Sequence, residues 1–284
     1  MKCELNRSPM TIKSYAEDFK CFESFLARLD GQLGWEDVDS DVIRDWMESM
    51  IDKGESARTV NRRLSALRSL FRFALAHHFV EKDPTTRVEG PKVKKALPCF
   101  LKESEMDTLL DDDSWGEAYS DARARAIIMT FYETGMRRAE LVALNDADVD
   151  FACGQVKVTG KGNKQRIIPF GKELADELKL YMSKRNHDVG HGDGALFLSD
   201  KGRRMTPEQV WHDVRENLAR VSTMKKLSPH VLRHTFATAM LNHGASIESV
   251  RRLLGHESVS TTEIYTHTTF EQLKRVYKDV HPRA

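Results

Sequence analysis

Cysteine is scarce in this chain of 284 residues: the four, Cys3, Cys21, Cys99 and Cys153, lie far apart. They form no CxxC pair and no Cys/His pattern. That excludes a disulfide-stapled mini-protein and a Cys/His metal site, and it points to a reducing cytoplasm. Long apolar runs are also missing. None approaches the roughly 18 residues of a membrane span, and the opening Met1-Lys2-Cys3-Glu4-Leu5-Asn6 has no apolar signal core, so no membrane partner is expected. An excess of either charge is absent too, since 44 basic residues against 43 acidic leave a net charge of +1. Any nucleic-acid partner must therefore be argued from where the charges lie. There is no GxxxxGK[ST] loop, GxSxG elbow, HExxH helix or DxDxDG loop, which removes the common nucleotide, hydrolase, zinc and calcium signatures. Asp111, Asp112 and Asp113 read as an exposed acidic loop rather than a two-metal site. No internal repeat or low-complexity tract is present. What remains, 40% apolar and 31% charged residues, is ample for a packed core under a solvated surface, at a length that suits two domains.

The first region reads as helices. Ser8-Pro9 looks like a cap and first-turn proline, and Ile12, Tyr15, Ala16, Phe19, Phe22, Leu26 and Leu29 then recur at steps of three and four. Asp39 or Ser40 opens a second helix with Val42, Ile43, Trp46, Met47 and Met50 on its apolar side. Ser56 can cap a third, running to about His78. From Ser56 to Val80 there is no acidic residue, while Arg58, Arg62, Arg63, Arg68 and Arg72 all fall there. Asn61, Ser65, Arg68 and Arg72 stack on one side and Val60, Leu64, Leu67, Phe71 and Ala74 on another. Taken alone, such a run is a solvated basic face; phosphate contact is the sharper reading. Residues 81–99, with Asp83-Pro84, Gly90-Pro91, Leu97-Pro98 and three lysines, read as a basic linker. The domains are then 1–96 and 97–284.

The second region is mixed. Helices are expected at about 103–112, 118–133 and 136–144. Gln155–Thr159 and Gln165–Phe170 alternate as the strands of a hairpin around Gly160-Lys161-Gly162-Asn163. A helix through Leu174, Leu178 and Tyr181 follows, then a short strand at 195–198, then helices from Thr206 onward. The fold class is mainly α with a small antiparallel sheet.

Cations and histidines gather at element boundaries. In Thr134-Gly135-Met136-Arg137-Arg138-Ala139-Glu140-Leu141, Gly135 breaks one helix and Arg137 enters the first turn of the next, where the helix dipole favours an anion; Glu140 shares its face. Lys161 sits at the hairpin tip between two glycines, with Lys164 and Arg166 following. In Ser228-Pro229-His230-Val231-Leu232-Arg233-His234, a cap and a first-turn proline set His230 and Arg233 as neighbours near a helix start. His234 joins that face or is a core histidine. Gly255 ends another helix, His256 follows it, and Tyr265 stands between two helices, the second opened by a capping box at Thr268. Each motif alone has an ordinary structural reading. Together, two arginines, a lysine, two histidines and a phenol are what phosphodiester transfer without a metal needs.

Arg137 in TGMRRAEL, Lys161 in GKGNKQR, His230 and Arg233 in SPHVLRHTFAT, and His256 and Tyr265 in LGHESVSTTEIYTH resemble the full motif set of the tyrosine recombinase (phage integrase) family, most of all its Xer-type members. The resemblance spans nearly the whole chain; Arg138, often uncharged in Xer enzymes, departs from it. It implies an N-terminal SAM-like DNA-binding domain and a C-terminal mixed α/β catalytic domain clamping duplex DNA. Tyr265 would attack the scissile phosphate, leaving a 3′-phosphotyrosyl link and a free 5′-hydroxyl, with no cofactor, metal or ATP. Arg137 and Arg233 would hold the phosphate, His230 would move a proton, Lys161 would serve the leaving oxygen, His256 would hydrogen-bond the phosphate and Glu140 would support the set. DNA contacts are expected from Arg58, Asn61, Arg62, Arg63, Arg68 and Arg72, and from seven basic residues against three acidic ones between 203 and 233. Expected partners are a recombination site, a homo-tetramer or a hetero-tetramer with a second Xer-type recombinase, and a DNA translocase as activator. The expected role is chromosome-dimer resolution at a dif-like site. A mobile-element integrase, a silent DNA-binding protein and a type IB topoisomerase stay open as alternatives. The last stretch, with Phe270, Leu273, Val276, Tyr277 and Val280 at helical spacing, must bury its face on its own domain or, as the resemblance implies for synapsed DNA, on a neighbour.

Overall fold

The acid-free helix begins where its cap predicts: the Ser56 hydroxyl accepts from the Thr59 N–H at 3.2 Å, opening a helix over Ala57–Ala76. The computed structural model describes residues 9–29, 33–93, 99–160, 163–255 and 267–283, and the chain divides into two units, Met1–Ala96 and Leu97–Ala284. In the first unit α1 (Pro9–Leu29), α2 (Ser40–Asp52) and α3 (Ala57–Ala76) close on one core. The Asp39 carboxylate caps α2 by accepting from the N–H groups of Asp41 and Val42. Phe22 and Trp46 meet edge to face at 4.8 Å, with Ile43, Leu64 and Phe71 buried around them. Truncating a buried ring such as Trp46 to alanine costs about 3–5 kcal/mol.

Two expectations for this unit need correction. Helix α1 buries only part of the stripe its apolar spacing predicts: Phe22 and Leu26 are buried as expected, but Ala16 and Leu29 are exposed, and Asp18 and Phe25 are buried besides. The reason is Asp18, which faces α3, accepting from Arg62 and lying 3.6 Å from Arg63. Nor is the stretch after α3 a free linker throughout. Val88 and Thr85 are buried, the Val88 carbonyl accepts from Arg68 at 2.5 Å, and the Pro91 carbonyl accepts from Asn61 at 2.7 Å. Backbone passes so close to Asn61 at Gly90 that any β-carbon there would lie 1.7 Å from its amide oxygen.

The second unit is built on α5 (Tyr119–Thr134), buried from Ala126 through Thr134 and packed by α7 (Lys172–Asp188), α8 (Pro207–Leu218) and α9 (Pro229–Asn242). Neighbours surround this stretch so fully that even its Thr130, Glu133 and Thr134 are buried. Before it comes α4 (Glu103–Leu110) and after it α6 (Arg138–Ala143). Among the described residues the sheet has three antiparallel strands in the order β1 (Val149–Asp150), β2 (Gln155–Thr159), β3 (Gln165–Pro169), with Val156 opposite Ile168 and Val158 opposite Arg166. Two helices, α10 (Ile247–Leu254) and α11 (His267–Val280), complete the unit.

The short strand expected at 195–198 is not one. This buried segment makes only isolated bridges, Asn145 to Ala195 and Leu198 to Arg204. Side chains replace the missing ladder partner: Arg185 donates to the Ala195 and Leu196 carbonyls, and the Tyr119 hydroxyl to that of Leu198. The final helix starts at His267, so Thr268 lies inside it rather than capping it. In the single chain, its last turns are seated on their own domain. Tyr277 is buried with its hydroxyl 3.0 Å from Glu133, His281 stacks on Tyr277 at 4.9 Å, and Arg283 pairs with Glu173 and Asp107.

Candidate active site

Helix α5 must stop abruptly to place Arg137. Gly135 takes a left-handed φ of 58°, and a β-carbon there would lie 2.4 Å from Phe236 and 2.8 Å from Leu254. Only glycine suits both the dihedral and the close approach. Arg137 then falls at the cap of α6, one residue earlier than expected. Its backbone N–H donates to Glu140 Oε2 at 2.7 Å and its Nη1 to Glu140 Oε1 at 2.9 Å. Ser228 precedes α9 without a side-chain capping bond, and Pro229 occupies the first turn. His230 and His234 are exposed there, whereas Arg233, one turn in, is buried.

The cluster closes on the last turn of α10, which ends at Gly255 with φ 64°. A helix end leaves carbonyls without intrahelical partners and carries partial negative charge. Three arginines answer three successive carbonyls. Arg166 Nε donates to Leu253 at 3.1 Å, Arg233 Nη2 to Leu254 at 2.7 Å, and Arg137 Nη2 to Gly255 at 2.9 Å. Arg233 Nη1 also donates to the Gly135 carbonyl at 2.7 Å. Of the five N–H groups on a guanidinium, these bonds engage two on Arg137 and two on Arg233 among the described residues.

Glu140 is the counter-charge. Burial alone would raise its pKa, yet the hydrogen bonds from Arg166 and Arg137 carry it below the ordinary carboxylate value. Burial, then the charges of Arg137 and Arg166, bring the Arg233 pKa down to about 10, so it stays cationic at neutral pH. Partial desolvation, then the charges of Arg233, His234, Arg138 and Arg137, lower the His230 pKa, which favours the neutral imidazole. Three guanidiniums around one carboxylate leave an excess of positive charge beside that imidazole, a setting for one phosphodiester and the negative charge that grows on it in transfer. Among the described residues no group of three or more His, Cys, Asp or Glu gathers as a metal site would require.

Of the residues expected at the site, Arg137, Glu140, His230 and Arg233 are brought together here. Lys161, His256 and Tyr265 lie outside the described residues. Arg166 was read only as one more cation behind the hairpin tip. It points inward, on the buried face of β3 with Ile168, and the strand's own alternation was the signal for this.

The basic face of α3 is more occupied than its composition implied. Arg62 bonds Ser14 and Asp18, Arg63 pairs with Glu55 at 2.7 Å, and Asn61 and Arg68 hold the 88–91 segment. Arg58 and Arg72 are exposed. In the second unit, Arg204 donates to the Val142 and Leu144 carbonyls, and Arg220 stacks on Trp115; Arg203, Lys225 and Lys226 are exposed.

The phage integrase family model matches residues 99–272, and that of the phage integrase N-terminal SAM-like domain matches residues 1–78. The chain belongs to the phage integrase family, the tyrosine recombinases, and is a site-specific DNA strand transferase. It is 36% identical over its whole length to tyrosine recombinase XerC of Pelotomaculum thermopropionicum, covering 96% of that protein. XerC of Bacillus subtilis is also 36% identical, with 94% of it covered, as is XerD of Staphylococcus haemolyticus, with 96% covered. The fold is shared with XerH on a palindromic difH substrate after cleavage, at a TM-score of 0.75 and 24% identity over 95% of this chain and 80% of that one.

Proposed function

We propose that the chain is a Xer-type recombinase that resolves chromosome dimers at a dif-like site, exchanging strands through a 3′-phosphotyrosyl link to Tyr265. The observation that carries this reading is the convergence of Arg137, Arg166 and Arg233 on the end of α10, immediately before the segment that holds His256 and Tyr265. Arg137 and Arg233 hold the non-bridging oxygens with their remaining N–H groups. The Tyr265 oxygen bonds to phosphorus as the bond to the 5′ oxygen breaks. The phenol proton passes to neutral His230, and Lys161 protonates the leaving alkoxide. His256 hydrogen-bonds the phosphate. The phosphodiester energy stays in the tyrosyl link, so a free 5′-hydroxyl of the partner duplex can reverse the step without ATP.

Full-length similarity to proteins named XerC and XerD alike, with XerH on difH sharing the fold, supports a Xer site over the target of a mobile element. On this reading the chain acts as a tetramer, alone or with a second recombinase, on the cytoplasmic nucleoid with a DNA translocase as activator. The test is a suicide duplex carrying a dif-like site. A covalent adduct is expected with the wild type and none with Tyr265→Phe, which should still bind the site. An adduct that survives the substitution defeats the reading.

A further inference from the structure

Arg166 touches three of the elements that carry the motif set. It stands on β3, the strand that returns from the hairpin tip bearing Lys161. Its guanidinium grips both Glu140 oxygens, Nη1 to Oε1 at 2.7 Å and Nη2 to Oε2 at 2.9 Å, and its Nε reaches the Leu253 carbonyl on α10. The same two carboxylate oxygens accept from the side chain and backbone of Arg137. Arg166 is 8% exposed, and a β-carbon on Gly255 would come within 3.1 Å of its guanidinium, so it lies beneath the site rather than on its surface.

We propose that Arg166 is a positioning residue for strand cleavage, locking Glu140, and through it Arg137, to the hairpin and to the end of α10. A planar fork on a carboxylate fixes orientation as well as distance, which a lysine cannot do. Without the fork, Glu140 is free to rotate, and Arg137 loses the partner that fixes its Nη1 and its backbone N–H. Burial then acts on Glu140 with Arg137 and Arg233 as the remaining cations that face it. The inference rests on the assignment of Arg137 to the scissile phosphate.

The test is single-turnover cleavage of the suicide duplex by the full chain from pH 5 to 9, beside site binding. R166M should bind within threefold of the wild type and cleave roughly ten- to a hundredfold more slowly, the scale of losing an orienting neighbour. Its rate should fall further toward acid as Glu140 protonates. The double variant R166M/E140Q should lose that acid limb. A purely structural residue would give a slowing that is flat in pH and unchanged in the double variant, and that result overturns the proposal. R166K carries the test if R166M does not fold: it should bind normally and cleave about tenfold more slowly, and cleavage at the wild-type rate overturns the proposal. R137A in the same assay separates the two levels. If it cleaves normally, the phosphate assignment falls, and this inference with it; if it is inactive while both Arg166 variants cleave normally, only the inference falls.

Discussion

The seat of α11 holds two buried groups whose pKa values are pushed in opposite directions, and their pH dependences should be separable by substitution. Glu133 accepts from the Gly171 N–H and the Tyr277 hydroxyl through Oε2, both at 3.0 Å, while Oε1 is buried without a partner among the described residues. Burial outweighs those two bonds and raises its pKa from 4.5 to about 7. Burial likewise dominates at His281, stacked on Tyr277, and lowers its pKa from 6.5 to about 4. At about 1.4 kcal/mol per pH unit, each separation from the unfolded value is worth about 3 kcal/mol. The signs differ. Between pH 4.5 and 7 the folded state holds a proton on Glu133 that the unfolded state has lost, so stability falls as pH rises. Between pH 4 and 6.5 the unfolded state holds a proton on His281 that the folded state lacks, so stability rises with pH. In the wild type the two nearly cancel. Relative to it, Glu133→Gln should gain about 3 kcal/mol as pH goes from 4.5 to 7, and His281→Gln should lose about as much from pH 4 to 6.5. Each change is superimposed on a constant offset from altered packing. Urea unfolding of the full chain across this range, read by hydrogen exchange in α5 and α11, reports the catalytic unit; taking differences from wild type cancels the titrations common to both. Differences that stay flat with pH in both variants would mean that α11 is not seated on Glu133 in solution.

Arg137→Ala and Arg233→Ala should each slow cleavage of the suicide duplex by roughly two to three orders of magnitude, the cost of one preorganised charge-stabilising donor; single-turnover rates check this. Chelators should leave cleavage unchanged, and a loss in EDTA that magnesium restores would defeat the metal-free scheme. Substituting exposed Arg58 and Arg72 together should reduce the salt slope of site binding by about one unit for each phosphate no longer neutralised. Arg63→Ala should instead leave that slope alone and destabilise the N-terminal unit by about 1–3 kcal/mol, because it strips a partner from Asp18 and Glu55; urea melts beside binding isotherms at several salt concentrations distinguish the two outcomes.

Helix periods, caps and glycine stops were legible in the residues themselves. Ser56, Asp39, Gly135 and Gly255 act locally, each through its own hydrogen bond or dihedral, so the starts of α2 and α3 and the ends of α5 and α10 follow from sequence order alone. Part of the candidate site was legible for the same reason: Arg137 follows a glycine stop and His230 and Arg233 follow a first-turn proline, and these are the residues the structure gathers with Glu140. Which partner each long cation takes was not legible. Arg62 and Arg63 read as phosphate ligands until Asp18, 44 and 45 residues earlier, turned out to be buried facing them. Arg166 read as a tip cation until β3 turned it onto Glu140. An arginine reaches several ångströms from its backbone and binds whatever anion or carbonyl the packing of distant segments brings within range. Spacing along one helix or strand carries no record of those segments, and only the tertiary structure decides which guanidiniums are held within the protein and which face solvent.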